Sequence, residues 1–315
     1  MKKPLIYLIE GIRGKIITYH LQHVSKEYYD NTLTEFNHQK LLDLGETNRR
    51  IETMILSGKP VMVCRFGATE LATVKTFDFE TTSKYQAQMH RLHMLSGVYP
   101  ETEEVGKKFT KLMIGDIPEA DLVGIWPQAF EGYYLRTYGK QGIEFSLLKN
   151  LNPWLYPEAP WTRALKEKKV LVIHPFDESI RSQYERREEI FPGTDILPEF
   201  ELDVLKSVQS LGGRDDRFAT WFDAFEYMKE ETLKRDFDVA VLGCGAYGFP
   251  LAAEIRRAGR QAIHFGGATQ ILFGIMGNRW NDDPVIRQYM NDSWVRPRES
   301  EKPKSAGSVE NSCYW

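Results

Sequence analysis

Short apolar runs alternate with amphipathic segments along most of the chain. The runs are nearly continuous, as expected for parallel strands that are buried on both faces, and the segments between them carry apolar residues at helical spacing. This alternation predicts an α/β fold with a doubly wound, mostly parallel, Rossmann-like sheet, in which ligands bind beyond the carboxyl ends of the strands. The predicted strands are residues 61–66, 121–126, 169–174, 204–209, 239–242 and 261–265.

The same pattern divides the chain into three parts. We predict an N-terminal helical segment at residues 1–40, an α/β domain at residues 41–294 and an extended C-terminal tail at residues 295–315. Residues 129–162 are rich in aromatic residues and proline, which predicts a lid or a platform for an acceptor sugar. Helices are predicted at residues 28–58, 70–77, 101–113, 177–190 and 221–234.

Residues 4–22 carry apolar side chains at nearly helical spacing, with basic residues close by. One interpretation is an amphipathic helix that rests on an anionic membrane surface, giving peripheral contact with the inner face of the membrane. The other is a helix packed on the domain or on a second subunit. We favour packing, because Gly11 and Gly14 weaken an isolated helix.

Composition narrows the classes of function. The chain has 315 residues and a net charge of −3, so it lacks the basic surface of a nucleic-acid-binding protein, and we expect no nucleic-acid partner. Its three cysteines show no metal-site spacing, which fits the reducing cytoplasm. No apolar run reaches bilayer-spanning length, and the N-terminus lacks a signal-peptide pattern.

The most informative stretch is residues 238–280, which read as strand, glycine turn, helix, strand and second glycine turn. The first turn, from Gly243 through Gly245 and Tyr247 to Gly248, fits the GxGxxG pattern of a phosphate-binding turn at a helix N-terminus. A dinucleotide site would need an acidic residue at the end of the next strand, where the sequence has His264 instead. A packing turn without a ligand is the alternative. The second turn is Gly266-Gly267.

Two further groups follow predicted strands. In Arg65-Phe66-Gly67-Ala68-Thr69-Glu70, Arg65 is a candidate for pairing with a diphosphate and Glu70 for binding a divalent cation. In the stretch from His174 to Ser179, Asp177 or Glu178 is a candidate general base, and His174 and Ser179 are candidate phosphate ligands. Structural ion pairs, helix caps and a buried histidine are the alternative roles.

The combination of RFGATE, GCGAYGFPLA, AIHFGGATQILFGIMGNRW and a final CYW resembles bacterial glycosyltransferases of the GT-D fold, over roughly residues 45–315. These enzymes are often encoded with surface-polysaccharide genes. The resemblance implies a nucleotide-sugar donor such as a UDP-sugar, and transfer of a hexose to a glycan, lipid-linked or protein-linked acceptor.

In the GT-D family the first motif reads Arg-Phe-Gly-Asp-x-Glu, and its two carboxylates are associated with a metal and with the donor diphosphate. Arg65, Phe66, Gly67 and Glu70 match this motif, whereas Ala68 replaces the aspartate. With one of the two carboxylates absent, the resemblance implies one of two arrangements. Either Glu70 binds Mn²⁺ or Mg²⁺ with help from elsewhere, or cationic side chains such as Arg65 stabilise the leaving nucleotide diphosphate.

Together these observations predict a cytoplasmic glycosyltransferase that acts in surface-glycan assembly. The expected nucleotide-sugar-binding residues are Arg65, Phe66, Gly67, His174, Ser179, Gly243, Gly245, Tyr247, Gly248, His264, Gly266 and Gly267, and the expected catalytic residues are Glu70, Asp177 and Glu178. Two alternatives stay open. One is a Rossmann-type enzyme that uses NAD or S-adenosylmethionine, and the other is a non-catalytic nucleotide-sugar-binding protein, which the alanine at position 68 supports.

Overall fold

A computed structural model describes residues 3–23, 33–79, 82–126, 128–303 and 314–315. A small antiparallel hairpin precedes the strands of the main sheet. The strands are β1 Glu35–Phe36, β2 Gln39–Lys40, β3 Val61–Cys64, β4 Leu122–Ile125, β5 Glu144–Leu147, β6 Lys169–His174, β7 Glu201–Lys206, β8 Val239–Leu242 and β9 Gln261–His264.

Helices connect these strands, and several begin with side-chain caps. Asp43 and Thr220 each form a capping box at the start of a helix, which satisfies backbone N–H groups that have no partner within the helix. The helices are α1 Lys3–His23, α2 Leu44–Leu56, α3 Ala68–Phe79, α4 Tyr85–Ser96, α5 Glu103–Asp116, α6 Glu131–Tyr138, α7 Asp177–Tyr184, α8 Arg187–Ile190, α9 Trp221–Leu233, α10 Gly248–Arg257, α11 Thr269–Leu272 and α12 Pro284–Arg287.

The main sheet has seven strands in the order β5-β4-β3-β9-β8-β6-β7, and every pairing in it is parallel. Successive residues of a strand enter opposite cores. In β8, Val239 and Val241 join one hydrophobic cluster, and Ala240 and Leu242 join the other. Helices α5, α9 and α10 contribute to one core and α2 and α7 to the other. The predicted doubly wound α/β fold is confirmed.

Most strand predictions are correct to within two residues, but β7 begins three residues before the predicted strand at 204–209. The helix predicted at residues 28–58 is confirmed only from Leu44, because residues 35–40 form the hairpin and residues 24–32 lie outside the described part. The hairpin packs on the α/β domain through Phe36, whose ring centroid lies 5.1 Å from that of Phe145.

Residues 129–162 do not form a lid or an exposed aromatic platform. They contain α6 and β5, and Tyr134, Trp154 and Trp161 are buried. The Trp161 indole N–H donates a hydrogen bond to the Leu151 carbonyl oxygen at 2.7 Å. The apolar area of these rings is therefore used in the core, which is the commonest role of aromatic side chains.

The C-terminal segment packs on the domain. Val295 forms a parallel bridge with Ile275, and the ring of Trp315 lies 6.1 Å from that of Phe176. Cys64 and Cys244 are buried free thiols, whereas Cys313 lies outside the described residues. Within the described part of the chain, no helix combines the length and apolar character that crossing a bilayer requires.

We predict that Trp161→Ala lowers the free energy of unfolding by about 3–5 kcal/mol, because it removes a fully buried ring and its hydrogen bond. Tyr227→Ala is the control, since Tyr227 is 37% exposed. This variant is expected to lower the free energy of unfolding by about 1 kcal/mol. Urea unfolding of both variants measures the difference. Equal losses would contradict the placement of Trp161 in the core.

Candidate functional site

A cavity of about 200 Å³ lies beyond the carboxyl ends of the strands. The adjacent strands β3, β9, β8 and β6 each deliver residues to it, because parallel pairing brings their carboxyl ends to one edge of the sheet. Trp126, which follows β4, also lines it. The predicted site residues that line the cavity are Arg65, Gly67, Glu70, His174, Gly243, Gly245, Tyr247, His264, Gly266 and Gly267.

Two predicted binding residues lie behind this lining. Phe66 is buried, and its ring centroid lies 4.5 Å from that of Phe249. Gly248 is the first residue of α10, and a Cβ atom at this position would lie 2.2 Å from Cε1 of His264. The absence of a side chain at Gly248 therefore allows the imidazole ring to pack directly on the helix backbone.

Arg65 supplies a guanidinium group at one side of the cavity. It lies over the Trp126 ring at 5.8 Å from the centroid, and the Trp126 indole N–H donates a hydrogen bond to the Phe66 carbonyl oxygen at 3.2 Å. Gly266 has a φ of +70°, and a Cβ atom there would lie 3.2 Å from an Arg65 nitrogen. The second glycine turn thus leaves room for the arginine side chain, in a backbone conformation that favours glycine.

Glu70 lies in the first turn of α3, and it is the acidic residue among the described residues that line the cavity. Its carboxylate packs closely on Gly67, since a Cβ atom at Gly67 would lie 1.8 Å from a Glu70 oxygen. Ala68, the position at which the resemblance implies an aspartate, also lines the cavity. A carboxylate at a helix N-terminus is also favoured by the helix dipole.

His174 and His264 are both buried, and burial lowers the pKa of each to about 3. The positive charge of Arg65 adds to the lowering of the His264 pKa. His174 Nδ1 accepts a hydrogen bond from the backbone N–H of Phe176 at 3.1 Å, so its ring proton belongs on Nε2. Both rings are therefore neutral near pH 7, which makes them hydrogen-bonding groups rather than cations, and poor general bases.

The structure places Asp177, Glu178 and Ser179 outside the lining of the cavity. They begin α7, but the Glu301 carboxylate of the C-terminal segment accepts hydrogen bonds from the Ser179 N–H at 3.0 Å and from the Ser179 hydroxyl. The Glu301 carboxylate therefore occupies the N-terminus of α7, where the sequence predicted a phosphate.

The two neighbouring acids also have local partners. Glu178 lies 3.2 Å from an Arg298 nitrogen, and an Asp177 oxygen lies 2.9 Å from the Lys206 ammonium group. Both carboxylates are thus held by cations away from the cavity. This arrangement matches the alternative role of a capped, ion-paired helix start, and it does not place a general base at the site.

Several lining residues were absent from the prediction. Gln270, Arg279, Tyr314 and Trp315 line the cavity, and Arg279 donates a hydrogen bond to the Tyr314 hydroxyl at 3.0 Å. The Gln270 amide donates to the Tyr314 carbonyl oxygen at 3.2 Å. The sequence motifs NRW (278–280) and CYW (313–315) are parts of the family resemblance. No rule of residue spacing, however, predicts that two segments so far apart in sequence lie side by side at the cavity.

Glu131 is a further residue that the sequence did not single out. Its carboxyl group is fully buried, and neither oxygen accepts a hydrogen bond of ordinary geometry within the described residues. Burial raises its pKa well above 4.5, whereas backbone N–H groups and the positive charge of Arg65 act in the opposite direction. A buried carboxyl group therefore lies close enough to Arg65 to interact with it electrostatically.

The donor set at the cavity suits a metal only in part. The described residues contain no group of three or more His, Cys, Asp and Glu side chains arranged to hold an ion. Mg²⁺ commonly binds through one or two carboxylates together with substrate phosphates, so Glu70 would fit such an ion only with the help of a phosphate-bearing ligand.

One comparison with known proteins, the match to a family model, agrees with the fold. The family model described as the GT-D fold-like domain matches residues 42–272, which is more than half of the chain. Two similar solved structures are described as a selenomethionine-substituted structure of domain of unknown function 1792 and as that domain having "a distinct glycosyltransferase fold". Each is 14% identical, with a TM-score of 0.45, and the match covers 88% of this chain and 96% of the other. A search of the curated proteins finds no match.

We predict that Gly248→Ala destabilises the protein by about 1–3 kcal/mol, because the added methyl group must displace His264. Gly115→Ala is the matched control, since a Cβ atom added to this helical glycine would have no neighbour within 4 Å, and the variant should become slightly more stable. Chemical unfolding of both variants provides the measurement. If Gly248→Ala unfolded with the same free energy as wild type, the close contact between Gly248 and His264 would be contradicted.

We predict that Glu131→Gln becomes more stable relative to wild type as the pH rises from 4.5. The raised pKa means that the folded protein resists ionisation of Glu131, so wild type loses stability as the pH rises through the folded-state pKa. The amide does not ionise. Unfolding curves at pH 5 and pH 8 test this, with the exposed Glu103→Gln as control. The prediction would be contradicted if the difference in unfolding free energy between wild type and Glu131→Gln were the same at pH 5 and at pH 8.

Proposed function

Because the chain belongs to the GT-D fold-like domain family, we propose that it is a glycosyltransferase that transfers a sugar from a UDP-sugar to a glycan, lipid-linked or protein-linked acceptor. The setting we propose is surface-polysaccharide assembly on the cytoplasmic side of a bacterial membrane. The observation that carries the proposal is the shared cavity in which Arg65, Glu70 and the two glycine turns meet at the carboxyl edge of the sheet.

The leaving group of this reaction is a nucleoside diphosphate, whose departure requires stabilisation of negative charge. In our proposal Arg65 pairs with the diphosphate, since a guanidinium group can donate two parallel hydrogen bonds to phosphate oxygens. Residues of the turns at Gly243–Tyr247 and Gly266–Gly267 line the same space, and in our proposal those of their backbone N–H groups that are not bonded within the protein donate to the diphosphate. His174 and His264 add neutral hydrogen-bonding groups, which suits a site that must bind and then release an anion.

Glu70 is the proposed catalytic carboxylate. It either accepts the proton of the acceptor hydroxyl or orients the donor through a bound Mn²⁺ or Mg²⁺ that the donor phosphates also hold. When bound, such an ion would supply charge neutralisation at the diphosphate. Asp177 and Glu178 keep a supporting role in this proposal, because their ion pairs fix the start of α7 behind the cavity.

A non-catalytic nucleotide-sugar-binding protein is the second candidate, and the observation in its favour is Ala68 facing the cavity where the family has an aspartate. An NAD-dependent enzyme is less well supported, since β9 ends at His264 rather than at an acid that would bind the ribose hydroxyls.

A ligand screen tests these candidates. Thermal shifts with UDP-sugars, NAD and S-adenosylmethionine, each with and without Mn²⁺, identify the ligand class, and release of UDP from the donor measures turnover. Our proposal predicts stabilisation by UDP-sugars together with slow donor hydrolysis. Stabilisation by UDP-sugars without hydrolysis or transfer would favour the binding protein, and a shift with NAD or S-adenosylmethionine alone would overturn both.

We predict that Glu70→Gln abolishes donor hydrolysis and leaves the fold intact, because the amide cannot accept a proton or neutralise a cation. Glu103→Gln is the matched control: it also removes a carboxylate from the first turn of a helix, but away from the cavity. Rates of UDP release and thermal unfolding provide the readouts. Unchanged turnover in Glu70→Gln would remove Glu70 from the mechanism.

A further inference from the structure

Helix α1 docks on the domain through one face. The Tyr7 ring lies 5.7 Å from that of Phe130, and a Cβ atom at Gly14 would lie 2.6 Å from the Ala129 methyl group, so the helix approaches closely at that glycine. Glu10, on the same face, is buried. Tyr7, Glu10 and Gly14 are spaced by three and four residues, which places them on one side of a helix. The packing role favoured from the sequence is thus seen on this face.

The opposite face of α1 is apolar and exposed. Leu5, Leu8, Ile12 and Ile16 are 48%, 58%, 51% and 53% exposed. Their spacing of three, four and four residues forms one continuous stripe. Apolar side chains occur on both faces of α1, so the sequence pattern alone does not show which face is exposed. The exposed fractions of the side chains in the structure show that it is this stripe. The stripe offers an apolar surface on the order of 400 Å², a size that often marks an interaction site.

The charges around the stripe are mainly positive. Within α1 the sequence has a single acidic residue, Glu10, which is buried and lies 2.7 Å from Arg13 and 3.3 Å from Arg136. Lys3 lies 2.6 Å from Asp78, whose side chain is 13% exposed. These cations remain largely exposed while their acidic partners are not, and Lys15 adds another exposed positive charge beside the stripe.

We propose that α1 is a membrane-surface helix whose stripe of Leu5, Leu8, Ile12 and Ile16 inserts among anionic lipids, with Arg13 and Lys15 at the level of the headgroups. An apolar face together with cations supplies the two signals that stable interfacial binding needs. A second copy of the chain fits less well, because the stripe falls short of the roughly 800 Å² per partner that a standard protein interface buries. No described residue of α1 lines the cavity, so the membrane proposal does not rest on the proposed activity.

Co-sedimentation of the full chain with vesicles tests the proposal. We expect binding to vesicles of equal parts phosphatidylcholine and phosphatidylglycerol, weak binding to phosphatidylcholine alone, and loss of binding at high salt. The double variant Leu8→Ser/Ile12→Ser should lower the partition coefficient at least about tenfold, and Lys15→Gln about fivefold. Leu56→Ser is the matched control, since Leu56 is a 62% exposed leucine at the end of α2, and it should bind like wild type.

Unchanged thermal unfolding and donor hydrolysis in the double variant would show that only the surface has changed. Three results would overturn the proposal: equal binding to both kinds of vesicle, equal losses in Leu56→Ser and the double variant, or no vesicle binding. If the last result came with a dimer in sedimentation velocity that the double variant dissociates, the stripe would be an interface between two copies of this chain.

Discussion

Parallel pairing of β3, β9, β8 and β6 is the constraint that creates the site. These four neighbouring strands end at one edge of the sheet, so the residues that follow them must meet, although they lie as far apart in sequence as Arg65 and Gly266. The two hydrophobic cores hold the strands in register, because each strand sends alternate side chains into opposite clusters. The cavity is therefore a product of the topology, and its chemistry depends on which side chains occupy the strand ends.

The cavity combines buried neutral groups with two arginines, Arg65 and Arg279. Burial keeps His174 and His264 uncharged, and close packing on glycine fixes the position of the His264 ring. The Arg65 guanidinium group lies over the Trp126 ring. An anion entering this space meets the guanidinium groups of Arg65 and Arg279, the residues of the two glycine turns and neutral imidazoles. Such a set can stabilise the negative charge of a departing diphosphate.

The fold and much of the lining could be predicted from the sequence, because apolar runs, glycine turns and strand-end residues are local signals. The role of Glu301 could not be predicted, since nothing in the sequence near Ser179 indicates that a carboxylate more than 100 residues later caps the helix that begins there. The aromatic residues from Tyr134 to Trp161 suggested a sugar platform, since composition does not distinguish a buried ring from an exposed one. Tyr314 and Glu131 reach or approach the cavity through tertiary packing alone.

In the mechanism we propose, Arg65 and the glycine turns grip a diphosphate. Calorimetric titration of uridine, UMP and UDP into wild type, Arg65→Gln and Arg214→Gln isolates this interaction, since Arg214 is an exposed arginine paired with Asp216. We expect UDP to bind wild type at least about tenfold more tightly than uridine does, and we expect Arg65→Gln to remove most of this gain while Arg214→Gln keeps it. Equal affinities for uridine and UDP, or an Arg65→Gln variant indistinguishable from Arg214→Gln, would show that no diphosphate grip exists at this site.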